Sequence, residues 1–425
     1  MKYRIETLGC KVNQYETAAL EEILQRAAYE KTEGMADVCI VNTCTVTHAG
    51  DRKSRQWISR FKRENPEAIV VVMGCYAQIA HEELKQRPDV DLLIGTQDKD
   101  RLPELIEHVK RHGPTDAVQE IPGDALFTEL TVGDTHEHTR ATLKVQDGCN
   151  QFCSYCIIPI ARGPVRSRSF SAVKEELARL ADAGFREVVL TGIHLASYLD
   201  DTKRLIDVIE LANDTEGIER IRLSSLEPKI VTDAFADRLR DVEKLCDHFH
   251  LSLQSGSDAV LSRMNRKYTT DDYRKSLSRL RDVFPNAGLT TDIICGFPGE
   301  TQEEWEESLQ FAKEADFSRI HVFTYSKRAH TKAALMKEQV PNEVKKQRNA
   351  EMTALGHALA ADFHRKQIGK KLSVLVEERL PSGCWSGYAK NYVPVHLEGQ
   401  TAPNQILTVE IVDAAEDYAI GRPVL

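Results

Sequence analysis

The 425-residue chain reads as a multidomain α/β protein: a doubly wound α/β domain, a partial (β/α)6 barrel and a small all-β module. Three observations predict this. Strand and helix signals alternate from the N-terminus. After a break the alternation resumes for six further units. Past Gly369 the texture changes to short strands with turn residues between them. The length also exceeds what one typical core supports.

The first strand signal covers residues 3–8. A helix is expected from Asn13, with Glu16 three residues on as its capping-box partner. Residues 38–41 read as a buried strand and 48–63 as a helix. Residues 69–73 are wholly apolar, as a parallel sheet covered on both faces requires. A strand at 92–94 and a helix at 101–111 complete a domain set at 1–113. Residues 114–137 are rich in Pro, Gly and acids and read as a linker.

Barrel strands are expected at 142–145, 187–190, 220–223, 250–253, 289–294 and 321–324. Helices lie between them, notably at 171–183, 271–283 and 302–315. Six units fall two short of a closed eight, so the domain over 138–367 is open on one side and admits a large substrate. Residues 341–367 form one long charged helix. Strands at 372–377, 392–397 and 406–412, with Pro381, Ser382 and Gly383 in a turn, make an all-β module over 368–425.

The net charge of −9 does not advertise nucleic-acid binding. Two stretches differ from the mean: 51–63 has six basic residues and one acid, and 327–348 has seven and two. Each is a solvated helix face or a local basic surface. No apolar run approaches the ~20 residues of a membrane span, and the N-terminus lacks a signal-peptide stretch. A cytoplasmic protein is expected, with no membrane partner. In that reducing compartment ten cysteines point to metal or catalysis rather than disulfides.

Cys149, Cys153 and Cys156 follow the strand at 142–145 directly. Three thiolates this close reach one soft metal centre. A structural zinc site is the competing reading, but it wants four ligands and no fourth Cys or His lies nearby in sequence. On a four-iron cluster three thiolates leave one iron open. Cys10, Cys44 and Cys75 each stand at or just past the end of one of the first three strands. In a parallel sheet those ends share one edge, where ligands bind, so a second three-thiolate cluster is expected there. The alternative is three core cysteines. Cys39, Cys246, Cys295 and Cys384 carry no site expectation.

These cysteines lie in recognisable motifs. They are Thr7-Leu8-Gly9-Cys10-Lys11-Val12-Asn13, Asn42-Thr43-Cys44, Gly74-Cys75, and Asp147-Gly148-Cys149-Asn150 leading to Cys153 and Cys156. Further motifs are Leu190-Thr191-Gly192, 223–228 (LSSLEP), 251–257 (LSLQSGS) and 292–300 (DIICGFPGE). With them the chain resembles the methylthiotransferases of the radical S-adenosylmethionine superfamily over essentially its whole length. Its C-terminal module resembles the family's RNA-binding TRAM domain.

The resemblance implies two [4Fe–4S] clusters. At one, on Cys149, Cys153 and Cys156, S-adenosylmethionine is cleaved to a 5′-deoxyadenosyl radical, which removes hydrogen from an unactivated C–H bond. The other, on Cys10, Cys44 and Cys75, supplies or carries the inserted sulfur. A second S-adenosylmethionine gives the methyl group. The cofactor carries the hard chemistry and the protein positions it. Thr191, Gly192, Ser224, Glu227, Gln254 and Gly296 are the candidates for holding it.

Implied partners are a tRNA anticodon stem-loop, a sulfur source and an electron donor of flavodoxin or ferredoxin type. Residues 158–168 and 325–328 look most like the branch that modifies threonylcarbamoyladenosine at C2. Other branches modify isopentenyladenosine or a ribosomal-protein aspartate. A radical enzyme whose N-terminal cluster only relays electrons is the rival from another class. Arg162, Arg166 and Arg168 are expected to face phosphates or the carboxylate of the threonylcarbamoyl group, which an arginine fork binds; the alternative is that they brace the cluster loop. Lys327, Arg328, Tyr388 and Lys390 are the other expected RNA contacts. Two departures stand out. His330 occupies a position where the family commonly has glycine. The module has five Lys/Arg against seven Asp/Glu from Lys370 onward.

Overall fold

The computed structural model describes residues 1–131 and 139–424. It divides into two compact units. The first comprises Met1–Thr135, Lys144–Arg168 and Ser326–Ala334, and the second His136–Leu143, Ser169–Tyr325 and Leu335–Leu425.

The first unit is built on six parallel strands. Their spatial order is Glu30–Lys31, Lys2–Thr7, Val38–Thr43, Ile69–Gly74, Leu92–Ile94 and Thr115–Asp116. The buried strand Val38–Thr43 shows why both faces are covered. Val38 and Ile40 join one apolar cluster with Leu20, Leu24, Leu102 and Ile106. Cys39 and Val41 point the other way, into a cluster with Ile58, Phe61 and Tyr76. Helices Lys11–Arg26 and Leu102–His112 therefore lie on one face, and His48–Glu64 and Cys75–Leu84 on the other. The strand order reverses between Lys2–Thr7 and Val38–Thr43, which is where open α/β sheets bind ligands.

Two expectations need correction. The first helix begins at Lys11, not Asn13, and its N-cap is Cys10. Asn13 and Glu16 are thus inside the helix, and both side chains turn into the core instead of capping it. The expected linker from 114 contributes an edge strand: Thr115–Asp116 pairs in parallel with Leu92 and Leu93. Two residues are too few to leave an alternating pattern. Residues 132–137 of that linker lie outside the described residues.

In the second unit, strands Glu187–Gly192 and Arg220–Leu223 pair in parallel, as do His248–His250, Gly288–Cys295 and Arg319–Thr324. Single parallel bridges, Ile221 to Leu245 and Leu226 to Leu251, join the two sets. The strand expected at 250–253 is displaced to His248–His250, and its continuation makes only bridges. Helix Asn342–Arg365 packs on the last strand of this series, and Gly356 lets it approach Ile320.

The C-terminal module is a closed five-stranded barrel of Lys371–Arg379, Trp385–Ala389, Pro394–Leu397, Ala419–Pro423 and Ile406–Ala414. Three strands were expected. The short pieces Trp385–Ala389 and Ala419–Pro423 complete the closure, which removes every exposed sheet edge.

Candidate metal and cofactor sites

The first cysteine set is assembled by the sheet. Cys10 and Cys44 follow the two strands that flank the reversal point, and Cys75 opens the helix after the next one. Gly9 at φ +102° makes the close approach possible, because a Cβ there would stand 2.5 Å from Cys44 Cβ and 2.8 Å from its sulfur. Asn13 ties the loops together. Its amide donates to Leu8 O at 2.7 Å and Thr43 O at 3.0 Å, just before Cys10 and Cys44. Burial pushes the Cys44 thiol up to about 12, and its neighbours Cys75 and Cys10 push the same way. Burial raises Cys75 as well, against the pull of Arg162.

The second set sits on a loop of the same unit. Gly148 at φ +70° allows a crossing that any Cβ would block, with Pro164 O only 1.8 Å away. Cys149 N donates to Gly163 O at 3.1 Å, and Cys156 N to Cys153 O at 3.0 Å. Ala333 N reaches Ser154 O at 2.7 Å. His330, nearby in sequence, lies at φ +68°, the left-handed backbone that glycine would favour.

Among the described residues, no three His, Cys, Asp or Glu side chains close on a point where one metal ion would sit. A four-iron cluster takes each thiolate on a different iron, so its ligand sulfurs stand farther apart than those round a single ion. The soft all-thiolate donor sets, with room left by glycines, fit such a group.

Between the two sets lies a buried ionic network that sequence reasoning missed. Arg162 is fully buried and donates to Glu16, Asp147, Asn13 and, through Nε, to Cys75 Sγ at 3.3 Å. Lys144 pairs with Glu16 at 3.0 Å and Asp147 at 2.6 Å, and Lys99 pairs with Glu16. Arg162 and the two lysines outweigh burial and hold Glu16 well below the ordinary carboxylate range. Asp147 is held low against burial by Lys144, Arg162 and Arg166. The one available signal was Lys144, a cation in the middle of a predicted strand.

This placement corrects the expectation for the arginines. Arg162, Arg166 and Arg168 are buried. Arg166 donates to Arg162 O and Pro164 O, and Arg168 pairs with Glu129 at 2.7 Å. They brace the loop from within the fold. Arg328 is also buried, on Asp51 at 2.6 Å and Thr45 at 2.6 Å. Lys327 alone of this group is exposed.

In the second unit, Thr191 and Gly192 end one strand, Ser224 follows another and Gly296 follows a third. Ser224 Oγ is buried without a hydrogen-bond partner among the described residues. His194 Nε2 lies 3.1 Å from Glu227 Oε2. Against the upward push of burial, that bond and the charge of Arg266 hold the Glu227 carboxyl below its usual value. Gln254 sits at φ +71°, a conformation a non-glycine residue adopts at a cost and one that clusters at functional sites. Gly296 N donates to Glu300 Oε2 at 2.7 Å.

Tyr388 stacks on Tyr392 at 4.8 Å, and Arg140 lies 5.0 Å over its ring. Lys390 Nζ donates to Glu243 O at 2.8 Å. Both act in seating the small barrel. Tyr388 and Tyr392 also line a cavity of about 620 Å³ with Arg319, His321, His396 and Tyr418.

Comparison with known proteins places these features. Residues 2–95 match the model "Uncharacterized protein family UPF0004", 143–312 the Radical SAM superfamily and 365–424 the TRAM domain. A radical S-adenosylmethionine methyltransferase, TsrM from Kitasatospora setae, shares the fold with a TM-score of 0.57 at 15% identity, over 78% of this chain and 76% of that one. The fold and the cysteine loop thus define a radical S-adenosylmethionine protein. A Bacillus subtilis protein named "Threonylcarbamoyladenosine tRNA methylthiotransferase MtaB" is 41% identical over 98% of this chain and 95% of its own length. Its namesake from Aquifex aeolicus is 39% identical over 97% and 100%. A Syntrophomonas wolfei "tRNA-2-methylthio-N(6)-dimethylallyladenosine synthase" is 34% identical over 99% and 97%. The chain belongs to the radical S-adenosylmethionine methylthiotransferase family. Among the described residues no helix is long and apolar enough to cross a membrane.

Proposed function

We propose that this enzyme adds sulfur and a methyl group at C2 of N6-threonylcarbamoyladenosine, beside the anticodon of tRNA. The observation that carries the activity is the presence of two three-cysteine sets within one compact unit, the first of them touched by the buried ionic network at Cys75. Cys149, Cys153 and Cys156 hold the [4Fe–4S] cluster that binds S-adenosylmethionine, and Cys10, Cys44 and Cys75 hold a second. When bound, the clusters and S-adenosylmethionine supply the radical, the sulfur and the methyl chemistry, with two S-adenosylmethionine consumed per turnover.

The chain's own residues position these groups. Thr191, Gly192, Ser224, Glu227, Gln254 and Gly296 hold the cofactor. The unpartnered Ser224 hydroxyl and the ionised Glu227 carboxylate suit a ribose hydroxyl or an ammonium group. Exposed Lys327 and the TRAM barrel face the anticodon stem-loop. The working domains are 1–113, 138–367 and 368–425, and the enzyme acts in the cytoplasm with an external electron donor and sulfur source.

Burial of Arg162, Arg166 and Arg168 removes the arginine-fork argument for a carboxylate-bearing nucleoside. The substrate therefore rests on the relatives, among which the threonylcarbamoyl enzymes span 34–41% identity and the dimethylallyl enzymes 34–35%. Nucleoside mass spectrometry of tRNA from cells with and without the gene decides it. Loss of methylthio-threonylcarbamoyladenosine is expected, and loss of the isopentenyl form would reverse the assignment. A Cys153→Ala variant is expected to lose S-adenosylmethionine cleavage. Cys44→Ala is expected to keep cleavage and lose sulfur insertion.

A further inference from the structure

We propose that Arg162 is a positioning residue for the first cluster, binding the Cys75 sulfur and favouring the cluster's reduced state. This rests on the reading of Cys10, Cys44 and Cys75 as cluster ligands.

Three observations carry it. Arg162 ends the short helix Ile158–Arg162 that follows the second cysteine set, yet its Nε lies 3.3 Å from the sulfur of the first set's Cys75. The side chain cannot swing away, because its two terminal nitrogens are fixed by Glu16, Asp147 and Asn13. A planar guanidinium held at both ends aims its remaining N–H in one direction.

The third observation is charge. Among the described residues, four buried basic side chains, Lys99, Lys144, Arg162 and Arg166, meet two buried acids, Glu16 and Asp147. Burying cations in excess is costly unless a counter-charge stands beside them. Among the described residues, the other group that Arg162 touches and that can carry negative charge is the Cys75 sulfur, a thiolate when it ligates a cluster. A thiolate-ligated cluster is anionic, and each added electron makes it more so. An N–H donor on a ligand sulfur and a positive surplus behind it both stabilise the more negative state. These are among the levers that set cluster potentials.

The test uses the full chain with Cys149, Cys153 and Cys156 changed to Ala, reconstituted anaerobically so that one cluster of about four irons per chain remains. Its midpoint potential is measured by redox titration followed by electron paramagnetic resonance. Arg162→Gln removes the charge and the Nε–H. It is expected to shift the one-electron equilibrium at least tenfold towards the oxidised form, a fall of 59 mV or more. Arg162→Lys keeps the charge and is expected to recover part of the shift. Iron-loaded variants with an unchanged potential overturn the proposal. So does failure of both variants to hold iron, which would make Arg162 a brace of the fold alone. Absence of iron from the parent without Cys149, Cys153 and Cys156 overturns the first-cluster reading itself, and the inference with it.

Discussion

Glu16 in the first unit and Glu187 in the second are both buried carboxylates surrounded by cations, yet the cations are used differently. Arg222 Nε binds Glu187 at 2.7 Å, and Arg220 lies 3.6 Å from it. Both arginines also donate to oxygens of the small barrel, Arg220 to the Ser373 hydroxyl at 2.8 Å among them. Arg220 reaches Tyr388 O at 3.1 Å, and Arg222 reaches Lys390 O at 3.1 Å and Ala389 O at 3.3 Å. Around Glu16, Lys99, Lys144 and Arg162 meet carboxylates, an amide oxygen, an aromatic face and one sulfur. The second network therefore fastens a domain, whereas the first turns one donor onto a cysteine sulfur.

The largest effect expected from this difference is that of Glu16→Ala. It strands Lys99, whose ionic partner among the described residues is Glu16, in a site that is 1% exposed. Breaking a buried pair on one side costs roughly 3–5 kcal/mol. Hydrogen exchange should show lost protection in Val38–Thr43, while Gly288–Cys295 keeps its own. Glu187→Ala should cost less, because Arg220 and Arg222 retain their carbonyl partners. A second change, Lys99→Met, should return much of the stability lost in Glu16→Ala. Equal costs for Glu16→Ala and Glu187→Ala, with no rescue, would erase the distinction.

Next comes Arg222→Ala. It removes charged hydrogen bonds to two carbonyls of the barrel, while Arg220 and Arg140 still face Glu187. Limited proteolysis should then release the C-terminal module near residue 368, with protection of the first unit unchanged. An Arg222→Ala protein as resistant as the parent would show that the apolar contacts alone seat the barrel.

How much of this was legible in the sequence follows the same division. Cys149, Cys153 and Cys156 declare themselves by spacing, since one loop brings them together. Cys10, Cys44 and Cys75 are thirty or so residues apart and become a set only through the topology of a parallel sheet. The sheet's central strands were readable because each is apolar on both faces. The Glu16 network was not readable. Glu16 fits a capping box, Lys99 lies at the start of a helix, and Arg162 matches a phosphate-binding expectation equally well. Nothing in local pattern says that three such residues, up to 146 positions apart, share one buried site. The short strands Thr115–Asp116 and Ala419–Pro423 were lost for a related reason: their partners, not their own periodicity, define them.

The smallest expected effect is a pH slope confined to the second unit. His364 is buried, and its Nδ1 lies 2.9 Å from Glu416 O. Burial holds the imidazole below its usual 6.5, although the carbonyls of Glu416 and Ala415 and the charge of Asp417 act the other way. As pH falls through the unfolded value the unfolded chain takes up a proton that the folded chain refuses. Stability is therefore full above about pH 7 and declines below it, until the folded imidazole itself titrates. Between pH 7.5 and 5.5 the loss should be the smallest of the effects named here. A His364→Gln variant should lessen it, leaving the share of His396, whose imidazole burial also holds low. Glu16 and Asp147 are both held far below this window, so their network contributes no slope there. Urea unfolding at the two pH values, read separately for Val38–Thr43 and Ile406–Ala414 by hydrogen exchange, compares the units directly. Parallel losses in both, or a slope unchanged by His364→Gln, would mean that His364 does not set the pH response.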